Sequence, residues 1–334
     1  MSSLSFTLQP IAPFRLDLTA WALRRRASNT IDRWDAGAYR RAILVGDRAV
    51  EVSAFQKGTA ARPALEVTVR GASLPRETRE VVTAALDRAL GLRVDLGGFY
   101  RMAKKDARLE RLAARFRGLK PPRFPSVFEA VVNGIACQQL SLAVGILLLG
   151  RLTLLCGLPA GAGSALRAFP RATDVAGLRP SDLRELGFSF GKAHALLDLA
   201  RRVQAGLDLE ALADLDDDAA VNELVALRGV GRWTAEYVLL RGFGRLTSFP
   251  GDDVGARANL SRWMKLRRPL DYDGVRRLAR RWQPYAGLLY FHLLLARLEE
   301  AGLLAADPAY STLERSATRP DARPPGDRPF PLPP

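Results

Sequence analysis

The stretch from Leu224 to Leu260 constrains this chain most, because two helix-forming runs meet there at a turn that glycine favours. Apolar residues at helical spacing precede and follow Gly229-Val230-Gly231. Two glycines around one small apolar residue let the backbone turn tightly. The first amides of the helix that starts near Arg232 are then left without intrahelical acceptors. Such a helix start attracts anions and suits a phosphate. After a short loop, Arg241 to Ser248, comes Phe249-Pro250-Gly251-Asp252-Asp253-Val254-Gly255-Ala256-Arg257, with Asp253 lying 22 residues after Gly231.

The charge balance agrees with an anionic partner. Among 334 residues, 50 Lys and Arg face 35 Asp and Glu, a net charge of +15. That excess points to a polyanion, and no basic amphipathic segment directs it to a membrane surface. The apolar run Gly145 to Cys156 is too short to cross a bilayer and is broken by Arg151. Two cysteines, Cys137 and Cys156, suit a reducing compartment and are too few to ligate an iron–sulfur cluster. Both are expected in the core, on helices. His194 and His292 are too few and too far apart for a zinc site, so no metal and no cofactor are expected. The first residues lack a charged segment followed by an apolar run, and no signal peptide is expected. The expected location is the cytoplasm, in association with the nucleoid.

Three segments follow from the patterning. Residues 1–94 form a small α/β lobe. Strands are expected at Leu4–Leu8, Tyr39–Val45, Ala49–Phe55 and Ala64–Arg70, with Gly46-Asp47 as a hairpin turn. Helices are expected at Asp17–Arg26 and, after Pro75, at Arg76–Leu90. Residues 95–306 are expected to be all-α, with helices at 106–116, 127–138, 142–155, 180–186, 192–205, 218–227, 232–242, 254–264, 272–282 and 284–301. Residues 307–334 are rich in proline, show almost no apolar period and are expected to stay disordered or extended.

The combination Leu-x-Gly-Val-Gly-Arg-Trp-Thr-Ala-x-Tyr followed by Phe-Pro-x-x-Asp-x-x-x-Arg resembles the helix-hairpin-helix DNA glycosylases, in their 3-methyladenine DNA glycosylase II (alkylbase) branch. The resemblance is strong from Asp95 to Gly302 and only architectural before that. It implies an α+β fold: a small N-terminal antiparallel sheet with helices, then a two-lobed all-α helix-hairpin-helix domain. It implies Gly229, Val230, Gly231 and Thr234 as the hairpin that grips DNA, and Asp253 as the catalytic carboxylate. Asp252, its neighbour, is expected to cap the helix from Val254 and leave Asp253 free at the cleft. Arg257, one turn on, is expected to face the same side. Trp233 and Tyr237, four residues apart on one helix face, are implied to line the base pocket and to hold a cationic base between aromatic faces. Tyr285 stands where relatives carry a pocket tryptophan, and Val254 where some carry a tyrosine. The segment Phe128-Glu129 to Ser141 resembles the family's Phe-Glu…Ile-x-x-Gln segment. By that resemblance Gln138 contacts the base, and Gln139, or Leu140 if the turn is offset, wedges into the duplex.

The activity implied is monofunctional hydrolysis of the N-glycosidic bond of an alkylated purine flipped out of duplex DNA, leaving an abasic site in base excision repair. Strand-cleaving relatives carry a lysine near position 233, where this chain has Arg232-Trp233, and an arginine is no nucleophilic amine. A monomer acting on damaged double-stranded DNA is expected, with no membrane partner. Two other readings stay open. One is a helix-hairpin-helix protein that binds damaged DNA without catalysis, and the other is a glycosylase for oxidised or deaminated bases.

Overall fold

In the computed structural model, residues 2–161 and 163–304 are described. The proline-rich segment expected at 307–334 lies outside them. Five strands form one antiparallel sheet: β1 (Ser2–Leu8), β2 (Arg33–Asp35), β3 (Ala38–Val45), β4 (Arg48–Thr59) and β5 (Arg62–Gly71), in the order β1-β5-β4-β3-β2. Strict alternation makes this sheet two-faced. Val50, Val52 and Ala54 of β4, with Leu65, Val67 and Val69 of β5, are buried, while residues between them are more exposed. Gly46-Asp47 joins β3 to β4 as expected, with Val45 paired to Arg48 and Gly46 in the left-handed region. The short β2 went unpredicted, because three residues are too few to show a period.

Fourteen α-helices complete the described residues: α1 (Leu16–Arg24), α2 (Thr78–Leu90), α3 (Gly97–Ala103), α4 (Ala107–Arg115), α5 (Val127–Cys137), α6 (Leu142–Cys156), α7 (Ala172–Ala176), α8 (Pro180–Glu185), α9 (Phe190–Gln204), α10 (Asp217–Val225), α11 (Arg232–Val238), α12 (Val254–Trp263), α13 (Tyr272–Ala279) and α14 (Ala286–Glu300). The expected α+β architecture is therefore present. The helix predicted over 232–242 ends as α11 and continues as a π-helical turn, Leu239–Phe243, closed by Gly244 in the left-handed region.

The helices pack into two lobes. One buried cluster joins the sheet to α5, α6, α9 and α11 through Val131, Ile135, Leu149, Leu196 and Tyr237. The other joins α1, α3 and α4 to α12 and α14 through Trp21, Phe99, Leu112, Leu260 and Leu295. Buried arginines tie these parts together. Arg41 of β3 meets Asp32 at 2.7 Å and Glu129 of α5 at 2.5 Å. Arg241, wholly buried after α11, donates to the carbonyls of Ala22 and Leu23 at the end of α1. The two carboxylates offset the cost of burying the Arg41 charge, and Arg241 joins the segment after α11 to α1 through neutral acceptors.

Candidate active site

A cavity of about 1100 Å3 opens between the two lobes. Its walls come from the loop after α5, the first turn of α11, the start of α12 and the last turns of α14.

The glycine turn sits at its rim. Gly229 has φ of +76°, and a Cβ there would lie 2.6 Å from the Cβ of Ala195. Gly231 differs: its φ is −100°, it precedes the first residue of α11, and a Cβ would meet nothing within 4 Å. Only the first glycine is required by the fold, and the second keeps the approach to the helix start open. Val230 is buried and anchors the turn in the core. Thr234 was expected to touch DNA, but its exposure is 0%. Its hydroxyl accepts from Gln138 Nε2 at 2.7 Å, and the same nitrogen donates to the Gly229 carbonyl at 2.9 Å. Thr234 and Gln138 thus bolt the loop after α5 to the glycine turn. The helical period explains the correction, because position 234 falls on the face of α11 that packs on α5.

Past Gln138 the chain turns outward. Gln139 adopts a left-handed φ of +52° and is exposed, and Leu140 is 43% exposed. Both line the cavity mouth. Lys192 Nζ donates to the carbonyls of Ala136 and Gln138 at 2.9 and 2.5 Å, holding the end of α5. Although distant in sequence, this lysine is brought near the site, yet no lysine lines the cavity among the described residues.

The capping role falls on the other aspartate, while Asp253 stays at the cavity as expected. Asp253, not Asp252, caps α12, its Oδ1 accepting from the Ala256 amide at 2.8 Å. Its Oδ2 faces the cavity and accepts from Trp233 Nε1 at 3.3 Å. Asp252 is instead held by Arg232, whose Nε and Nη2 lie 2.8 and 2.7 Å from Oδ2. Among the described residues Arg257 makes no side-chain hydrogen bond or ion pair, and it does not line the cavity, so the expected shared side with Asp253 is not seen. The α12 side of the cavity is formed instead by Ala256, Ala258, Asn259 and Arg262.

The loop carrying the aspartates is fastened from below. Glu236 accepts from Tyr272 Oη at 2.6 Å and from the Gly251 amide at 2.8 Å. Burial pushes the Glu236 carboxyl above its usual range. Arg232 also lies over the Tyr272 ring, 3.7 Å from its centroid. Helix α11 therefore holds both ends of the Gly251–Asp253 turn.

Trp233 and Tyr237 share one face of α11 and both line the cavity, but they stack on each other, with centroids 5.4 Å apart and planes 26° apart. Rings in mutual contact leave no gap for a base between these two, so a base on Trp233 would lie on the face turned away from Tyr237. Tyr237 is 2% exposed, and its hydroxyl donates to Asn133 Oδ1 and accepts from Arg25 Nη1, both at 3.0 Å. Tyr285 does not line the cavity. It packs edge-on against Phe99, and Gly98 makes room for it, since a Cβ there would lie 2.0 Å from its hydroxyl.

The aromatic on that side is Tyr290, one of several cavity residues that no sequence motif marks. Tyr290, Leu294, Arg297 and Ala301 form one stripe of α14 along the cavity, at spacings of four, three and four residues. That period was visible in the sequence, but which stripe faced the cleft was not. Burial, then the charge of Asp253, pushes the Tyr290 phenol up. Arg25 and Arg26 also line the cavity from the far end of α1. Their run with Arg24 was the one hint, and nothing local says which of three adjacent arginines turns inward.

Residues 132–284 match the family described as HhH-GPD superfamily base excision DNA repair protein. The chain is 31% identical over 221 residues to the DNA-3-methyladenine glycosylase of Bacillus subtilis, covering 65% of this chain and 73% of that one. It is 31% identical over 186 residues to DNA-3-methyladenine glycosylase 2 of Escherichia coli, covering 55% and 63%. A 3-methyladenine DNA-glycosylase structure from Archaeoglobus fulgidus superposes with a TM-score of 0.76 at 29% identity, over 87% of this chain and 97% of that one.

Proposed function

We propose, for a chain that belongs to the HhH-GPD superfamily of base excision DNA repair proteins and to its 3-methyladenine glycosylase branch, that Asp253 is the catalytic carboxylate of an alkylbase DNA glycosylase. The observation that carries the reading is the cavity-facing Oδ2 of Asp253, with the glycine turn and the Gln139-Leu140 turn at the mouth of the same cavity.

The steps follow from these positions. The amides at the start of α11 and the +15 net charge hold the DNA backbone, and Gln139 or Leu140 fills the space left when a damaged nucleotide is extruded. The base enters the cavity beside the outer face of Trp233. An alkylated purine already carries positive charge, so it departs neutral and needs no general acid. The sugar left behind resembles an oxocarbenium ion, which a nearby carboxylate stabilises while water attacks. Trp233 Nε1–H keeps that carboxylate oriented. With no lysine on the described cavity wall, hydrolysis rather than Schiff-base chemistry is proposed, which makes the enzyme monofunctional.

A second reading, action on deaminated bases, is favoured by one observation. Arg25 donates to Tyr237 Oη and Asn133 Oδ1, and Arg241 to two backbone carbonyls, all neutral acceptors. Two buried cations behind Tyr237 stabilise a base that leaves as an anion.

The test is incubation of the protein with methylated duplex DNA, followed by chromatography of free bases. Release of 3-methyladenine or 7-methylguanine with intact strands is expected. Binding without release would establish the non-catalytic reading, and borohydride trapping of the protein on DNA would refute the monofunctional one.

A further inference from the structure

Away from the glycine turn, a groove of about 460 Å3 is lined by six cations, Arg108, Arg111 and Arg115 of α4, Arg262 and Lys265 at the end of α12, and Arg297 of α14, with Glu300 and four apolar residues beside them. Spacings of three and four residues put the three α4 guanidiniums on one helix face. The charge is only partly compensated. Arg297 meets Glu300 at 3.4 Å, and Arg115 is paired with Glu299. Arg108 donates to the Met264 carbonyl at 3.1 Å and lies over Trp263, which also lines the groove. Arg111 and Lys265 are exposed, and their side chains make no hydrogen bond or ion pair among the described residues. Like charges gathered this closely repel one another and concentrate anions from solution.

The groove is continuous with the cavity of the candidate site, sharing Asn259, Arg262 and Arg297 with it. Helix α12 links them: Asp253 caps its start, and Arg262 lies nine residues along, about 13 Å away at 1.5 Å per residue. We propose that this groove is a second DNA-backbone site, distinct from the glycine turn, which takes phosphates of the duplex flanking the flipped nucleotide. The proposal rests on the reading that the neighbouring cavity receives a base from DNA. A nucleotide drawn into that cavity pulls its flanking backbone toward the walls, and the wall on the α12 side is this one. Duplex phosphates also match the chemistry of the groove, which offers several separated cations rather than one enclosed anion cradle.

The experiment uses the full chain carrying Arg111→Gln and Lys265→Gln together, with fluorescence anisotropy on a duplex containing an abasic-site analogue across a range of KCl concentrations. If both side chains meet phosphates, the plot of log affinity against log salt becomes shallower by about 1.8, at about 0.9 per contact on duplex DNA. Single-turnover base release at saturating DNA and thermal unfolding stay at wild-type values, since neither residue lines the cavity or is buried. A slope equal to that of the wild type overturns the proposal, whatever happens to the rate. Gly231→Val, measured in parallel, separates the two readings. If it weakens binding while the double variant does not, the groove alone is excluded. If the wild type binds duplex with no salt dependence, the DNA reading of the cavity fails as well.

Discussion

Asp253→Asn tests the proposed site most sharply, because the two oxygens of this side chain have different partners. Oδ1 caps α12 through the Ala256 amide, and Oδ2 faces Trp233 Nε1 in the cavity. Asparagine caps about as well as aspartate, so folding loses only the charge at the helix start, about 0.3–1 kcal/mol. Catalysis loses far more. A carboxylate about 4 Å from an oxocarbenium-like centre, at an effective dielectric near 20, contributes about 4 kcal/mol, or roughly a thousandfold in rate. The amide nitrogen would also face the indole N–H, donor against donor. Asp252→Asn serves as the internal control: it breaks a partly exposed ion pair with Arg232, worth about 0–1 kcal/mol, and leaves Asp253 with both of its hydrogen bonds. Single-turnover release of methylated bases, with DNA affinity measured separately, gives both quantities. Retention of more than about a tenth of the wild-type rate by Asp253→Asn at unchanged affinity would refute the reasoning, and a larger loss in Asp252→Asn would reverse the assignment.

Further outcomes follow from the same geometry. Trp233→Ala removes an aromatic face from the cavity wall and should slow release of cationic bases more than of hypoxanthine by about 0.5–2 kcal/mol, roughly two- to thirtyfold. An equal loss on charged and neutral lesions in single-turnover assays would assign Trp233 to shape alone. Gly229→Ala forces a left-handed φ of +76° onto alanine and brings its Cβ against Ala195, so about 2–4 kcal/mol should be lost in chemical denaturation. Gly231→Ala, with ordinary φ and open space, should stay within about 0.5 kcal/mol, and equal effects would show that the turn is misplaced. His292 is wholly buried, with Nδ1 2.8 Å from the Leu288 carbonyl, and burial lowers its pKa to about 4. A depressed folded-state value contributes stability above the ordinary value near 6.5, and this is lost as pH falls toward about 4, with about 3 kcal/mol at stake. His292→Leu should flatten urea midpoints over that interval, and an unchanged acid slope would count against a neutral buried imidazole.

What the amino-acid sequence determined by itself is local. The glycine turn, the helices on either side, the two-faced strands and the spacing from Gly231 to Asp253 depend on neighbours within a few residues, and they brought the fold and the family into view. What tertiary structure decided is which side of each element faces the cleft. A one-residue step rotates a helix position by about 100°, from 3.6 residues per turn. Asp253 rather than Asp252 therefore caps α12, Thr234 lies inside rather than on the DNA side, and the α14 aromatic in the cavity is Tyr290 rather than Tyr285. Arg25 reaches Tyr237 across 212 residues of chain, and Trp233 and Tyr237 close on each other rather than on a base. Such contacts are set by how the sheet and the two helical lobes dock, and no periodicity within a single element records the angle at which its neighbours arrive.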